Sequence, residues 1–295
     1  MLVSGTLIDE LVDQLPALFD CESRFRFSQN ADPDDVAWAN SYCGFNLPAK
    51  MDTSHLQWVH CWGAGVEQWL GGRLSPDCLL TRSVGDMGHK IAEFCLAYSL
   101  GLAWNIFTVR DNQSQWLWKD TASSSLKGKN VAVLGAGAIG SEICRLFHAC
   151  GADVTGYSRS GFGSNLKFEE FYKNAERTDI LIACLPSTPN TRYLVDADLL
   201  GRCRLKQFIN VGRADTVSTA ALLAALADGS IGHAVLDVFE SEPLPAQSPL
   251  WNTERLLVSP HRSAPTEATD IIDSLRELLA DGETSRLVVD RSRSY

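Results

Sequence analysis

No C-x-x-C pair, no cluster of Lys and Arg, and no uninterrupted apolar run of membrane-spanning length occurs anywhere in the 295 residues. Each absence removes a class of function. Without paired cysteines, the nine thiols (Cys21, Cys43, Cys61, Cys78, Cys95, Cys144, Cys150, Cys184 and Cys203) fit reduced core residues better than disulfides or a metal site, so no metal is expected. Acidic residues outnumber basic ones by 36 to 26, a net charge of -10, which argues against a nucleic-acid surface. The longest apolar tract, IAEFCLAYSLGLAWNIF, is interrupted by Glu93 and Asn105, which argues against a membrane span. The opening MLVSGTLIDELVDQL carries Asp9, Glu10 and Asp13 where a secretory peptide needs an apolar core, so a cytoplasmic address is expected.

What remains is an ordinary globular composition, 45% apolar and 21% charged, in a chain long enough for two domains. The first 80 residues hold short apolar runs, VAWAN, LQWVHCW and CLLTR, separated by Pro, Gly and Asp, which read as strands of a small sheet. From Met87 to about Asn112 the spacing of Ile91, Phe94, Cys95, Tyr98, Leu102 and Ile106 is helical, as in a long helix joining two domains. After LKGKN, near-continuous apolar runs alternate with helical stretches: NVAVLG, SEICRLFHACG, ADVTGYS, DILIACLP, RCRLKQFINVG, AALLAALADG, HAVLDVF and LLVSPH. Strands apolar on both faces, each followed by a helix, predict a doubly wound α/β domain with a parallel sheet over residues 85–264. The remainder, 1–84 with 265–295, would form the second, smaller domain.

VAVLGAGAIG places Gly135, Gly137 and Gly140 in G-x-G-x-x-G spacing between a strand and a helix. Gly135 allows the turn, Gly137 lets backbone approach a pyrophosphate, and Gly140 lets the helix pack on the sheet. With Ala136, Ala138 and Ile139 they form a candidate phosphate-binding turn at the positive end of a helix. The next strand ends at Ser158, where an acid would otherwise bond an adenosine ribose hydroxyl. A serine beside a guanidinium instead accepts a 2'-phosphate, so Ser158, Arg159 and Ser160 read as an NADP(H) clamp. The plainer alternative for Arg159 is a solvated loop arginine stacked on adenine.

Three later apolar runs end in polar groups: INVGR in Arg213, VLDVFESEP in Glu242, with Glu240 its nearest rival, and LLVSPH in His261. Ligands of open α/β sheets bind beyond the carboxyl ends of the strands, so these three would converge there. A guanidinium to hold a carboxylate, an imidazolium to donate a proton and a carboxylate to keep that imidazole charged suit reduction of a 2-keto acid.

Here the sequence resembles the D-2-hydroxyacid dehydrogenases, and within them the glyoxylate, hydroxypyruvate and related 2-ketoacid reductases. The blocks are LQWVHCWGAGVEQWL, VAVLGAGAIGSEI, ACLPSTPNTRYL, FINVGRA, LAALADGSIGHAVLDVFESEPLPAQSPLW, VSPH and VVDRSRSY. The resemblance implies a Rossmann cofactor domain, a flavodoxin-like substrate domain completed by the C-terminal segment, an interdomain cleft and a homodimer. It assigns substrate binding to Arg213, pairing with His261 to Glu242, and acid/base work to His261. It further assigns carboxylate-binding amides to Ala64, Gly65 and Val66, cofactor lining to Leu185, Pro186, Val211 and Gly212, and a nicotinamide hydrogen bond to Asp237. The implied reaction is NADPH-dependent reduction of a small 2-keto acid. Departures are a poorly matching first 50 residues, Arg262 in place of the usual aliphatic residue after the histidine, and LGLAWNIF without an arginine common there. Trp62, beside the GAGV segment, is a further candidate for substrate contact. Two other readings stay open: NAD-linked oxidation of a D-2-hydroxy acid, and a nicotinamide-sensing interaction protein of the same fold.

Overall fold

The structure, a computed structural model, describes residues 1–19, 22–161 and 165–291. Cys21 and the last four residues of the VVDRSRSY block lie outside the described residues. The chain forms two compact units, one of Met1–Met87 with the segment from Pro265 onward, the other of Gly88–Ala264. The first crossing therefore falls three residues later than the expected 84/85. Gly85 and Asp86 stay with the smaller unit because the Asp86 N–H donates to Asp270 (3.4 Å) and Gly85 lies against the same side chain.

In the smaller unit the strands β1 (Leu2–Ser4), β2 (Arg26–Ser28), β3 (Ser41–Gly44), β4 (Trp58–Cys61) and β5 (Leu79–Arg82) pair all-parallel in the order β2-β1-β3-β4-β5. This is the flavodoxin order. Alternation along the strands splits the core: Leu2, Tyr42, Val59 and Leu80 face one cluster, Val3 and Cys43 the other. The second cluster is closed by Ala268, Ile271, Ile272 and Leu275 of the Ala268–Asp281 helix. VAWAN, expected as a strand, is the end of helix Pro33–Trp38 and its C-cap. Its start is fixed by a capping box in which Asp32 accepts from the Asp35 N–H (2.8 Å) and Asp35 accepts from that of Asp32 (3.3 Å).

The larger unit holds β6 (Asn130–Leu134), β7 (Asp153–Ser158), β8 (Leu166–Lys167), β9 (Ile180–Ala183), β10 (Leu205–Asn210), β11 (Ile231–Leu236) and β12 (Leu256–Val258). They form one parallel sheet in the order β12-β11-β10-β9-β6-β7-β8, with the doubly wound reversal between β9 and β6. Ala132, Leu134, Leu181, Ala183 and Phe208 pack on one face, Val131, Val133, Ile180, Ile182 and Ile209 on the other. Burial on both faces is what makes β6, β9 and β10 read as largely apolar runs.

The expected long helix begins at Met87 but breaks. Met87–Ala103 and Ile106–Ser114 meet at a 60° bend, because Asn105 turns left-handed (φ 51°) and its side chain donates to the Ala122 carbonyl. Ile91, Ala92 and Cys95 sit in the core, whereas Ile106, beyond the break, is exposed rather than part of the stripe. Among the described residues no single helix is long and apolar enough to cross a membrane, although this bent pair passes on length and composition together.

Candidate active site

Strand register builds the site. Leu134, Ala183, Asn210, Leu236 and Val258 pair in one row across β6, β9, β10, β11 and β12. The segments that follow this row carry Gly135–Gly140, Leu185–Pro186, Val211–Arg213, Asp237–Glu242 and Ser259–His261. Five loops therefore leave the same edge of the sheet, the carboxyl edge.

At that edge the structure joins His261 and Glu242. His261 Nδ1 lies 2.7 Å from Glu242 Oε2, while Glu242 Oε1 accepts from the Phe239 N–H (2.8 Å), so the carboxylate is held at both oxygens. Pairing at Nδ1 leaves Nε2 as the atom that can give or take a proton. The Glu242 side chain is 35% exposed and that of His261 54%, so the partner carboxylate is not buried. Glu240, the rival, meets the Tyr193 hydroxyl instead (3.4 Å). Arg213 follows β10 with its backbone pinned, since its carbonyl accepts from Asn210 Nδ2 (3.3 Å) and Thr216 Oγ1 (2.6 Å).

Asp237 behaves differently. It is 0% exposed and accepts from Ser259 Oγ (2.6 Å), the Arg262 N–H (2.8 Å) and the Ser263 N–H (2.9 Å). Its carboxylate has no accessible surface for the nicotinamide hydrogen bond expected of it.

The glycine turn fits a dinucleotide. Gly135 (φ 95°) and Gly140 are glycines for internal reasons, because a Cβ would strike the Cys184 carbonyl in one case and the Gly135 carbonyl in the other. Gly137 is the contrasting case: a Cβ there would meet nothing within 4 Å. The missing Cβ leaves open space before helix Ala138–Ala149, whose first backbone bond runs from Ser141 to Gly137 (2.8 Å). The amides of Ala138, Ile139 and Gly140 are thus the open donors of its first turn. Ala136 forms the floor, buried, with its N–H on Tyr157 and its carbonyl taken by Asn165 Nδ2 (2.8 Å). Leu185, Val211 and Gly212 are also buried, and a Cβ on Gly212 would strike the Leu185 backbone. Pro186 is half-buried at the same strand end. At the end of β7, Ser158 Oγ accepts from the Gly161 N–H (3.1 Å), keeping its own proton to donate, and Arg159 and Ser160 are exposed.

Residues 96–263 match the family described as D-isomer specific 2-hydroxyacid dehydrogenase, NAD binding domain. The chain belongs to this family of oxidoreductases. A glyoxylate/hydroxypyruvate reductase A of Salmonella paratyphi B is 31% identical over 256 residues, covering 81% of this chain and 82% of the relative. A D-isomer specific 2-hydroxyacid dehydrogenase family protein from Aeromonas salmonicida superposes with a TM-score of 0.89 at 29% identity, covering 98% of each chain. An NADPH-dependent glyoxylate/hydroxypyruvate reductase from Sinorhizobium meliloti, solved with NADP and sulfate, superposes with a TM-score of 0.86 at 25% identity, covering 100% of this chain and 99% of that one.

Two further polar residues, one in each unit, carry no local motif. Lys167 stands opposite Ser158 in the β7–β8 ladder and is exposed. Arg82, at the end of β5, donates from Nη1 to the Ala64 carbonyl (3.0 Å), bracing the turn through Gly65 and Val66 in the smaller unit. Only register could have found the first and only the folded loop the second. Trp62 is corrected: it is 3% exposed, its Nε1–H donates to Cys43 Sγ (3.2 Å), and it belongs to the core.

Proposed function

We propose that the chain is an NADPH-dependent reductase of a small 2-keto acid of the glyoxylate and hydroxypyruvate class, producing the D-2-hydroxy acid. The observation that carries this reading is the His261–Glu242 pair at the carboxyl edge of the sheet that bears the glycine turn. A bound NADPH would supply the hydride. Arg213 holds the substrate carboxylate by charge-assisted bonds. His261, held at Nδ1 by Glu242, gives the Nε2 proton to the carbonyl oxygen, so that hydride and proton together reduce the C=O. Ala64, Gly65 and Val66 are assigned as a carboxylate-binding turn whose amides Arg82 helps to aim. The preference for NADPH rests on Ser158 and Arg159, with Lys167 nearby, and is supported by the cofactor named for the Sinorhizobium relative.

The partner we assign is a second copy of the chain. Around the break at Asn105, Trp104, Ile106, Phe107, Val109, Trp116 and Trp118 are all exposed, the last two at 97% and 102%, large apolar side chains of the kind that mark a protein interface.

The test is the initial rate of NADPH and NADH oxidation with glyoxylate, hydroxypyruvate, pyruvate and phenylpyruvate. We expect NADPH turnover to fall by about 10²- to 10⁴-fold in His261→Ala. Arg159→Ala should raise the KM for NADPH and leave that for NADH unchanged. Tight cofactor binding without turnover of any keto acid would replace this reading with the sensing one.

A further inference from the structure

We infer that Asp237 is a positioning residue that aims the His261 imidazole through the backbone on either side of it. The inference rests on the reading of His261 as the acid/base. Asp237 follows the last residue of β11, and its own N–H is fixed on the Asn210 carbonyl (3.1 Å). Its three donors bracket the histidine in sequence: Ser259 two residues before, Arg262 and Ser263 directly after. Between them His261 is held at φ 53°, a left-handed conformation that a non-glycine residue adopts only under constraint, with its N–H on the Ser259 carbonyl (3.0 Å). Ser259 and Ser263 are 3% and 6% exposed, so these donors have little water to turn to if the carboxylate is removed.

The chemistry asks for a carboxylate at this position. Oδ1 takes the Ser259 hydroxyl and the Arg262 amide, and Oδ2 takes the Ser263 amide. An asparagine has one acceptor oxygen and would turn its NH₂ toward at least one of the donors. Glu242 then orients the ring from its Nδ1 side while Asp237 fixes the turn from which the ring projects. The two carboxylates divide the task, one touching the imidazole and the other never reaching it.

The experiment uses the full chain as Asp237→Asn, Ser259→Ala, and each combined with His261→Ala. It measures kcat, the Kd for NADPH by fluorescence, and hydrogen exchange of the Arg262 and Ser263 amides. We expect Asp237→Asn to lower kcat by roughly tenfold to a hundredfold, as a misplaced catalytic group does, with the NADPH Kd within about twofold of wild type and faster exchange at both amides. Ser259→Ala, which keeps the charge and both amide bonds, should lower kcat by about threefold. Neither change should lower the residual rate of His261→Ala, since the effect runs through that ring.

A tenfold weaker NADPH Kd with unchanged kcat would make Asp237 a cofactor contact and overturn the inference. Unchanged kcat for Ser259→Ala, or equal losses with and without His261, would reduce the group to structural support. Should Asp237→Asn fail to fold, the Ser259→Ala pair decides alone. A wild-type chain that turns over no keto acid sinks the functional reading instead, while amide exchange still reports whether Asp237 holds the turn.

Discussion

Glu242 touches two partners with two oxygens, and this separates its chemical from its structural role. In Glu242→Gln the amide oxygen can still accept the Phe239 N–H, while the charge facing His261 Nδ1 is lost. Keto-acid reduction should therefore fall by about ten- to a hundredfold with the melting temperature unchanged, as steady-state rates beside thermal denaturation will show. A large drop in melting temperature would assign Glu242 to the loop rather than to the proton transfer. The same separation applies to the glycines. Gly137→Ala should leave stability within about 0.5 kcal/mol yet weaken NADPH binding, because its Cβ enters only the open space before the helix. Gly140→Ala should cost roughly 1–3 kcal/mol, since its Cβ meets the Gly135 carbonyl. Chemical denaturation and fluorescence titration of the two variants distinguish the cases.

Among the elements, legibility followed burial. β6, β9, β10 and β11 were readable because both their faces are covered, so apolar residues follow one another without alternation and the run stands out. β1 and β2, three residues each, and the two-residue β8 offer too few positions for any period to show. VAWAN was misread because its apolar spacing fits strand or helix, although Asp32, Pro33 and Asp35 just ahead already spelled a helix start. The break at Asn105 left no trace in the spacing on either side of it. For the site, Arg213, Glu242 and His261 were visible because each ends an apolar run at the sheet edge. The contacts of Ser259, Arg82 and Lys167 were not, because they come from register and loop closure, and the burial of Trp62 and Asp237 appears only when the core is assembled.

At the scale of the whole molecule, two properties can be measured without any substrate. The first is acid stability. His60 is fully buried between Thr81 Oγ1 (2.8 Å) and Ser83 Oγ (2.9 Å), and burial lowers its pKa to about 3. Above pH 6.5 it is neutral folded and unfolded and adds no pH dependence. As pH falls from 6.5 toward 3 only the unfolded chain takes up the proton, so stability is lost across that window, by at most on the order of 5 kcal/mol. In His60→Gln the unfolding free energy should be lower at pH 7 but flatter between pH 6 and 4, and an unchanged slope would place the acid lability elsewhere. The second is assembly. Trp116→Ser with Trp118→Ser should shift a dimer to monomer in analytical ultracentrifugation, whereas a wild-type monomer would remove the partner assigned above.

The division of the chain also sets an order of synthesis. The larger unit is one continuous stretch, but the smaller needs Ala268, Ile271, Ile272 and Leu275 to close its second core cluster over Val3, Leu11 and Cys43. On the ribosome the cofactor-binding unit can therefore be finished while the smaller unit waits, one apolar face uncovered, for residues 268–275 to be made.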